Sequence, residues 1–294
     1  MRTLVVTGDD FGASVAVNRG IAESYDRGIL TSASLMVCGD AADHAVALAK
    51  ARPGLSVGLH LVLVDGRAAT SPKKIPHLVH RDGWFRGGPF RAGLRYQFSR
   101  AARRELLVEI RSQFESFERT GLKLAHLDGH HHLHLHPVVL DLVTRPDITP
   151  LPIPSIRLPS EELRVALALD PGKIVSKVAT SAVFRLLRRN GERRLSAAGI
   201  GYAERVYGLL ATGRLTERYL LGLIPEIRAK RVEIYGHPAA SHTFQECWDP
   251  SPSGLAELAA FTSPWVQEAI ARAGFASTSE APLEHSTASG VRRA

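Results

Sequence analysis

The chain has 294 residues, 45% of them hydrophobic, enough for a sizeable core in one large α/β domain or two smaller ones. Lys and Arg outnumber Asp and Glu by 37 to 29, and the resulting charge of +8 favours anionic partners such as nucleic acid or an acidic membrane surface. Two cysteines, Cys38 and Cys247, far apart and outside any CxxC pair, exclude a disulfide framework and suit a reducing compartment. The start "MRTLVVTGDDFG" lacks the layout of a signal peptide, and no apolar run approaches the length of a membrane span, so the expectation is a cytoplasmic protein.

Short apolar runs alternate with helix-like stretches. Residues 3–8, 33–38, 55–63, 123–128, 155–159, 204–210 and 231–236 read as strands. Residues 14–27, 41–51, 101–119, 138–144, 172–189, 216–224 and 254–272 read as helices. Strand-then-helix, repeated about seven times, predicts parallel βαβ units in a doubly wound sheet or a β/α barrel. Residues 1–276 are expected to form one domain with a helical insertion at about 160–200, followed by a disordered, small-residue-rich tail, 277–294.

The polar residues concentrate where strands end. "TGDDFG" puts Asp9 and Asp10 just past the first strand, "GLH" puts His60 near the end of the third, and "YGHP" puts His237 after the last. "HLDGHHHLHLH", residues 126–136, holds six of the 13 histidines and puts Asp128 and His130 at the end of the fourth strand. In an extended run His126, Asp128 and His130 share one face, with Leu127 and His131 on the other. Taken alone, an Asp pair after a strand is turn or helix-cap chemistry, and clustered histidines can be solvated or bonded to carbonyls, the reading that suits His134 and His136. Four segments that converge on the C-terminal edge of a parallel sheet instead describe a ligand site.

One carboxylate and two imidazoles on a divalent ion leave positions for water and substrate, as metal-assisted hydrolysis requires. Adjacent side chains diverge, so Asp10 can bind the ion while Asp9 accepts a proton from water as general base. His237, delivered from the far end of the chain, can protonate a leaving group or stabilise an oxyanion. Such a set suits amide or ester hydrolysis without a covalent intermediate.

"TGDDFGASVAVNRGI", "GLHLVL", "HLDGHHHLH" and "YGHPA" resemble, in order and spacing, the motifs of the YdjC-like carbohydrate deacetylases, over about residues 3–245. "LVDGR", "IPHLVHRDGWF", "EIRSQFESFERTGL" and "YGLLATGRLTERYLLGLIP" are similar to the hopanoid-biosynthesis branch of that family, HpnK, whose members deacetylate an N-acetylglucosaminyl unit on a hopanoid lipid. The resemblance implies a distorted β/α barrel with Asp10, His60 and His130 as metal ligands, Asp9 as base and His237 as the second catalytic group. It leaves Asp128, His126, His132 and Arg157 to contact substrate or to orient the ligands. For Arg157 a surface ion pair is the competing expectation. Gly8 stands where the family's motif favours alanine. Zinc and magnesium lead as the ion, with manganese and cobalt also compatible with these donors.

Residues 170–194, "DPGKIVSKVATSAVFRLLRRNGERR", begin like a helix at Asp170 and Pro171 and repeat apolar residues at 174/175, 178/179, 182/183 and 186/187. Seven cations, at 173, 177, 185, 188, 189, 193 and 194, oppose Glu192 within 171–194, a pattern that suits either an anionic membrane surface or a core-packed helix with a solvated basic face. Trp84, Phe85, Tyr96 and Phe98 are candidates to line a sugar or lipid channel, with core packing as their default. The competing functions are a soluble chito-oligosaccharide deacetylase and a non-catalytic sugar- or metal-binding barrel. A nucleic-acid binder is disfavoured, because the basic residues lack interleaved aromatics. A second copy of the chain is compatible with the sequence, which does not set the oligomeric state.

Overall fold

The computed structural model describes residues 1–240 and 252–278. Seven strands form one parallel sheet: β1 (Arg2–Phe11), β2 (Ser32–Leu35), β3 (Ser56–Leu61), β4 (Leu124–Gly129), β5 (Arg205–Tyr207), β6 (Arg231–Gly236) and β7 (Phe275–Ser277). Their order is β4-β3-β2-β1-β6-β5, with β7 beside the start of β1. Among the described residues ten α-helices surround it: α1 (Val15–Arg27), α2 (Ala42–Lys50), α3 (Pro89–Phe98), α4 (Arg100–Arg119), α5 (Pro137–Val143), α6 (Leu163–Leu169), α7 (Ile174–Ala198), α8 (Glu217–Leu223), α9 (Pro252–Thr262) and α10 (Pro264–Arg272). The sheet curls into a half-barrel whose outer face buries Leu4, Val6, Leu35, Leu59, Leu127, Val232 and Ile234 against these helices. Parallel strands need helical crossovers, which cover the apolar outer face, while the inner face carries the polar Thr7, Asp9, Ser34, His60, His126, Asp128 and Glu233.

The strand count matches the expectation, but the membership differs. The run 155–159 is not a strand, since Pro154 and Pro159 bound it and donate no ladder hydrogen bonds. It is instead stitched between the two sheet edges: Leu127 N–H donates to Ser155 O and Arg157 N–H to Leu127 O, while Ile156 N–H donates to Gly201 O. This segment bridges the open side of the half-barrel and carries Arg157 into its interior. The seventh strand is β7, at the border of the expected tail; residues 279–294 of that tail, and Cys247, lie outside the described residues. Cys38 is a free thiol that burial pushes up to about 12.

Helix 254–272 is two helices, because Ser263 caps a new one that starts with Pro264. Helices α3 and α6 were not anticipated. The basic helix runs nine residues beyond its expected end at 189, to Ala198, and its Gly191 admits Leu158, whose side chain lies 2.6 Å from where a Cβ would sit. Of its seven cations, Lys177 and Arg188 are buried, Lys177 on Asp170 and Arg188 on the Leu158 and Ala203 carbonyls. The helix packs on the core through Phe184, Leu187 and Leu195 with Arg185, Arg189 and Arg193 exposed, but Val175, Val178, Val183 and Leu186 also face outward. Phe85 and Tyr96 are core residues, the latter donating to Leu63 O.

Candidate active site

Asp9 and Asp10 lie inside the last turn of pleat of β1 rather than after it. Between the pairs Gly8–Ala33 and Phe11–Leu35 two residues of β1 oppose one of β2, which is a β-bulge. Asp10 takes up the extra residue with φ 61°, a conformation that costs a non-glycine residue about 1 kcal/mol. The bulge aims Asp9 into the barrel and Asp10 at its mouth. The next residues fix this turn: Gly12 has φ 100°, its N–H donates to Asn18 Oδ1 at 2.6 Å, and Ser14 caps α1 by accepting from Val17 N–H. That is the local reason for "DDFGASVAVN". Gly8 admits Ile21 and Leu30, which would stand 2.7 and 2.9 Å from an added Cβ.

At the mouth, Asp10 Oδ1 lies 3.3 Å from His60 Nε2 and 3.1 Å from His130 Nδ1. One donor atom from each of the three comes within 4.8 Å of the others, and none is fully exposed. His60 Nδ1–H donates to Asp128 Oδ1 at 2.8 Å, which orients the ring and turns Nε2 toward Asp10. Burial works to lower the His60 pKa, yet Asp128 and Asp10 push it up to about 10. Burial likewise tends to raise Asp10, and His130, His60 and His237 hold it well below the ordinary carboxylate range. Positive charge is therefore favoured between these groups, and the donor set fits a divalent cation. A second cluster, Asp9, His60 and Asp128, also comes within 4.8 Å, but the Arg157 guanidinium already supplies its cation.

Arg157 is the centre of the interior. It is 3% exposed, which corrects the surface ion-pair expectation. Its Nη1 and Nη2 grip Asp9 Oδ2 and Oδ1 at 2.6 and 2.8 Å, Nη1 reaches Asp128 Oδ2 at 2.7 Å, and Nε donates to Glu233 Oε1 at 2.9 Å. Its guanidinium lies over the Tyr235 ring, 4.4 Å from the centroid. A planar five-donor fork suits three carboxylates as an ammonium does not.

Behind the mouth His126 is buried and His132 partly buried, each held by a hydrogen bond. Ser34 Oγ donates to Asp128 Oδ2 at 2.7 Å, so its single proton is committed and His126 Nε2–H donates to Ser34 at 2.9 Å. The His126 ring fits only because residue 58 is glycine, with ring atoms 2.4 Å from where a Cβ would sit. His132 Nε2 shares a 2.8 Å hydrogen bond with the Tyr235 hydroxyl. His131 is exposed, 3.2 Å from Asp65, and His136 caps α5 by accepting from Val138 N–H.

His237 follows β6 and is 31% exposed, with Nε2 4.0 Å from Asp10 Oδ2 and Nδ1 4.0 Å from Glu257 Oε2. Its own backbone N–H donates to Glu257 at 2.6 Å. Ser34, Glu233, Tyr235 and Glu257 escaped the sequence reading. Glu233 and Glu257 did carry a signal, since each is a lone acid within an apolar strand or helix that the fold buries.

His134 donates through Nε2 to Arg157 O and is fully buried, the carbonyl-bonded alternative rather than the solvated one. Burial lowers its pKa to about 4, so the fold holds it neutral. Its contribution is complete above the ordinary histidine value near 6.5 and is lost as pH falls toward 4, roughly 3 kcal/mol in all. Urea unfolding at pH 7 and pH 4.5 should show a smaller acid loss for His134→Gln than for the natural chain; equal losses would refute the assignment.

Residues 3–272 match the family of YdjC-like proteins. A carbohydrate deacetylase of Brevibacillus brevis is 42% identical over 142 residues, 48% of this chain and 54% of that protein. A chitooligosaccharide deacetylase of Escherichia fergusonii is 30% identical over 283 residues, 93% of this chain and 96% of that protein. The chain thus spans about half the length of the carbohydrate deacetylases it matches and nearly all of the Escherichia protein. A crystal structure from Enterococcus faecalis, described as that of a candidate cellobiose-phosphate cleavage protein, shares the fold with a TM-score of 0.67 at 20% identity, over 93% of this chain and 95% of that one. With the match running from β1 to α10, through all four segments that meet at the mouth, the chain belongs to the YdjC-like protein family.

Proposed function

We propose that this protein is a metal-dependent hydrolase that removes the acetyl group from an N-acetylglucosaminyl substrate, with residues 1–276 as one catalytic unit. The observation that carries the reading is the Asp10, His60 and His130 cluster directly beside the buried Asp9, in a chain whose relatives are named carbohydrate and chitooligosaccharide deacetylases. Asp10, His60 and His130 would hold the ion, and Asp128 would orient His60. A divalent ion bound there polarises the amide carbonyl and acidifies water.

Asp9, fixed by both Arg157 nitrogens, receives the proton of the attacking water as its oxygen bonds to the carbonyl carbon. His237, backed by Glu257, gives a proton to the amine nitrogen as the C–N bond breaks. The products are acetate and the free amino sugar. His126, His132 and Arg157 act through the groups they hold in place.

For the substrate we favour an amino sugar carried on a hopanoid lipid, met by a peripheral enzyme at the inner face of the cytoplasmic membrane. Among the described residues no helix is long and apolar enough to cross a membrane. A chito-oligosaccharide is the second reading, supported by the Escherichia relative that aligns over almost the whole chain. Acetate release from an N-acetylglucosaminyl hopanoid and from di-N-acetylchitobiose, measured in parallel on ion-loaded protein, separates the two. Preference for the lipid supports the first and preference for chitobiose the second, while release from neither refutes the deacetylase. Chelation should abolish release and lower the melting temperature by several degrees, with recovery on adding back zinc, manganese, cobalt or magnesium. Activity that survives full ion removal would refute the metal-dependent reading.

A further inference from the structure

Eight of the eleven exposed large hydrophobic residues among those described lie on two helices, α3 and α7. On α3 they are Phe90, Leu94 and Phe98, spaced by four residues and so aligned as one stripe; Phe90 and Phe98 are 78% and 77% exposed. On α7 they include Val175 and Leu186, at 83% and 64%. Helix α7 buries Lys177 and Arg188 beside Leu195 and leaves a row of aliphatic side chains outside. A monomer in water rarely leaves two such stripes uncovered, because each keeps apolar area hydrated that folding could have buried.

The two helices flank the same structure. Gly93 and Tyr96 of α3 pack on His136, and Phe184 of α7 packs edge-on against the His132 ring at 5.5 Å. Both therefore adjoin the histidine turn that delivers His130 to the mouth.

The charge around the stripes has one sign. Residues 86–104 contain six arginines and no acid, and on α7 the exposed Arg185, Arg189 and Arg193 accompany the apolar row, whose only acid, Glu192, is paired with Arg188. We propose that the outer faces of α3 and α7 form a docking surface for an anionic lipid bilayer, with the phenylalanine and aliphatic side chains at the acyl boundary and the guanidinium groups on lipid phosphates. A second copy of this chain fits poorly, since pairing like faces would bring the two arginine sets together. This surface follows from exposure and charge and holds whatever reaction the mouth performs.

The test is sedimentation of the full chain with vesicles of phosphatidylcholine containing phosphatidylglycerol, against vesicles of phosphatidylcholine alone. Phe90→Ser with Phe98→Ser, Val175→Ser with Leu186→Ser, and Arg185→Glu with Arg189→Glu all alter exposed positions, and unchanged thermal melting certifies their fold. The natural chain should partition to the anionic vesicles, more weakly at high salt, and each pair of substitutions should reduce partition by at least about tenfold. No sedimentation, or sedimentation unchanged in all three variants, overturns the proposal. So does light scattering that shows a dimer lost in the serine variants without vesicle binding, which would make the face a self-interface. Acetate release plays no part in this readout, so failure of the deacetylase reading and failure of the docking surface are told apart.

Discussion

Asp9→Asn should lower kcat for acetate release by about 10²- to 10⁴-fold, the usual worth of a positioned general base, while ion binding stays at its natural stoichiometry. The separation is possible because the bulge in β1 sends the two aspartates to different tasks. Asp10 reaches His60 and His130, whereas Asp9 is bound through both oxygens by Arg157. Asparagine keeps the shape and still presents one acceptor to the guanidinium, but it has no charge and takes no proton. Asp10→Asn should do the reverse, with loss of the ion preceding loss of activity. Activity within about tenfold of the natural enzyme in Asp9→Asn would move the base elsewhere, and His237 would be the next candidate.

Arg157→Gln should be the most destabilising single change in the interior, by about 3–5 kcal/mol, and should also abolish turnover. Three buried carboxylates, Asp9, Asp128 and Glu233, pair with this one guanidinium, Asp128 with His60 as well. Its removal leaves them to repel one another in a largely buried place, and the pull of Asp128 on His60 then lacks its counterweight. Lysine should recover only part of the loss, since one ammonium cannot face three acids in the geometry of the fork. Adding Glu233→Gln to Arg157→Gln should restore some stability, a non-additive result that a merely local packing defect would not produce. Urea denaturation of the two single variants and the double variant measures this directly; a loss below about 0.5 kcal/mol in Arg157→Gln would contradict the buried network.

The two variants also divide the legible from the hidden. Parallel α/β architecture was readable because its strands bury both faces and its helices bury one, so periodicity reports them. Strand ends were readable because isolated acids and histidines interrupt apolar runs there, and Asp9, Asp10, His60, Asp128, His130 and His237 do come together in space. Local sequence also explains "DDFGASVAVN", whose Gly12, Ser14 and Asn18 each satisfy a backbone need within eight residues.

What tertiary structure alone decided is the work of residues whose partners are distant along the chain. Arg157 meets Asp9 across 148 residues and Glu233 across 76, and Ser34 meets Asp128 across 94. No spacing rule reaches so far, so the sequence left Arg157 between an orienting role and a surface ion pair, and Ser34, Tyr235 and Glu257 passed unnoticed. The direction of α7 was hidden for the same reason. Its periodic apolar row announces an amphipathic helix, but periodicity does not say which face the rest of the protein covers. Packing against Leu158, Ala203 and Asp170 settled that, turning the apolar row to the outside and two of its cations to the inside. Sequence by itself determined the helix, the strands and the chemistry of their ends, because those follow from contacts a few residues apart; which groups are paired and which are left facing outward depended on long-range contacts that exist only once the sheet has curled.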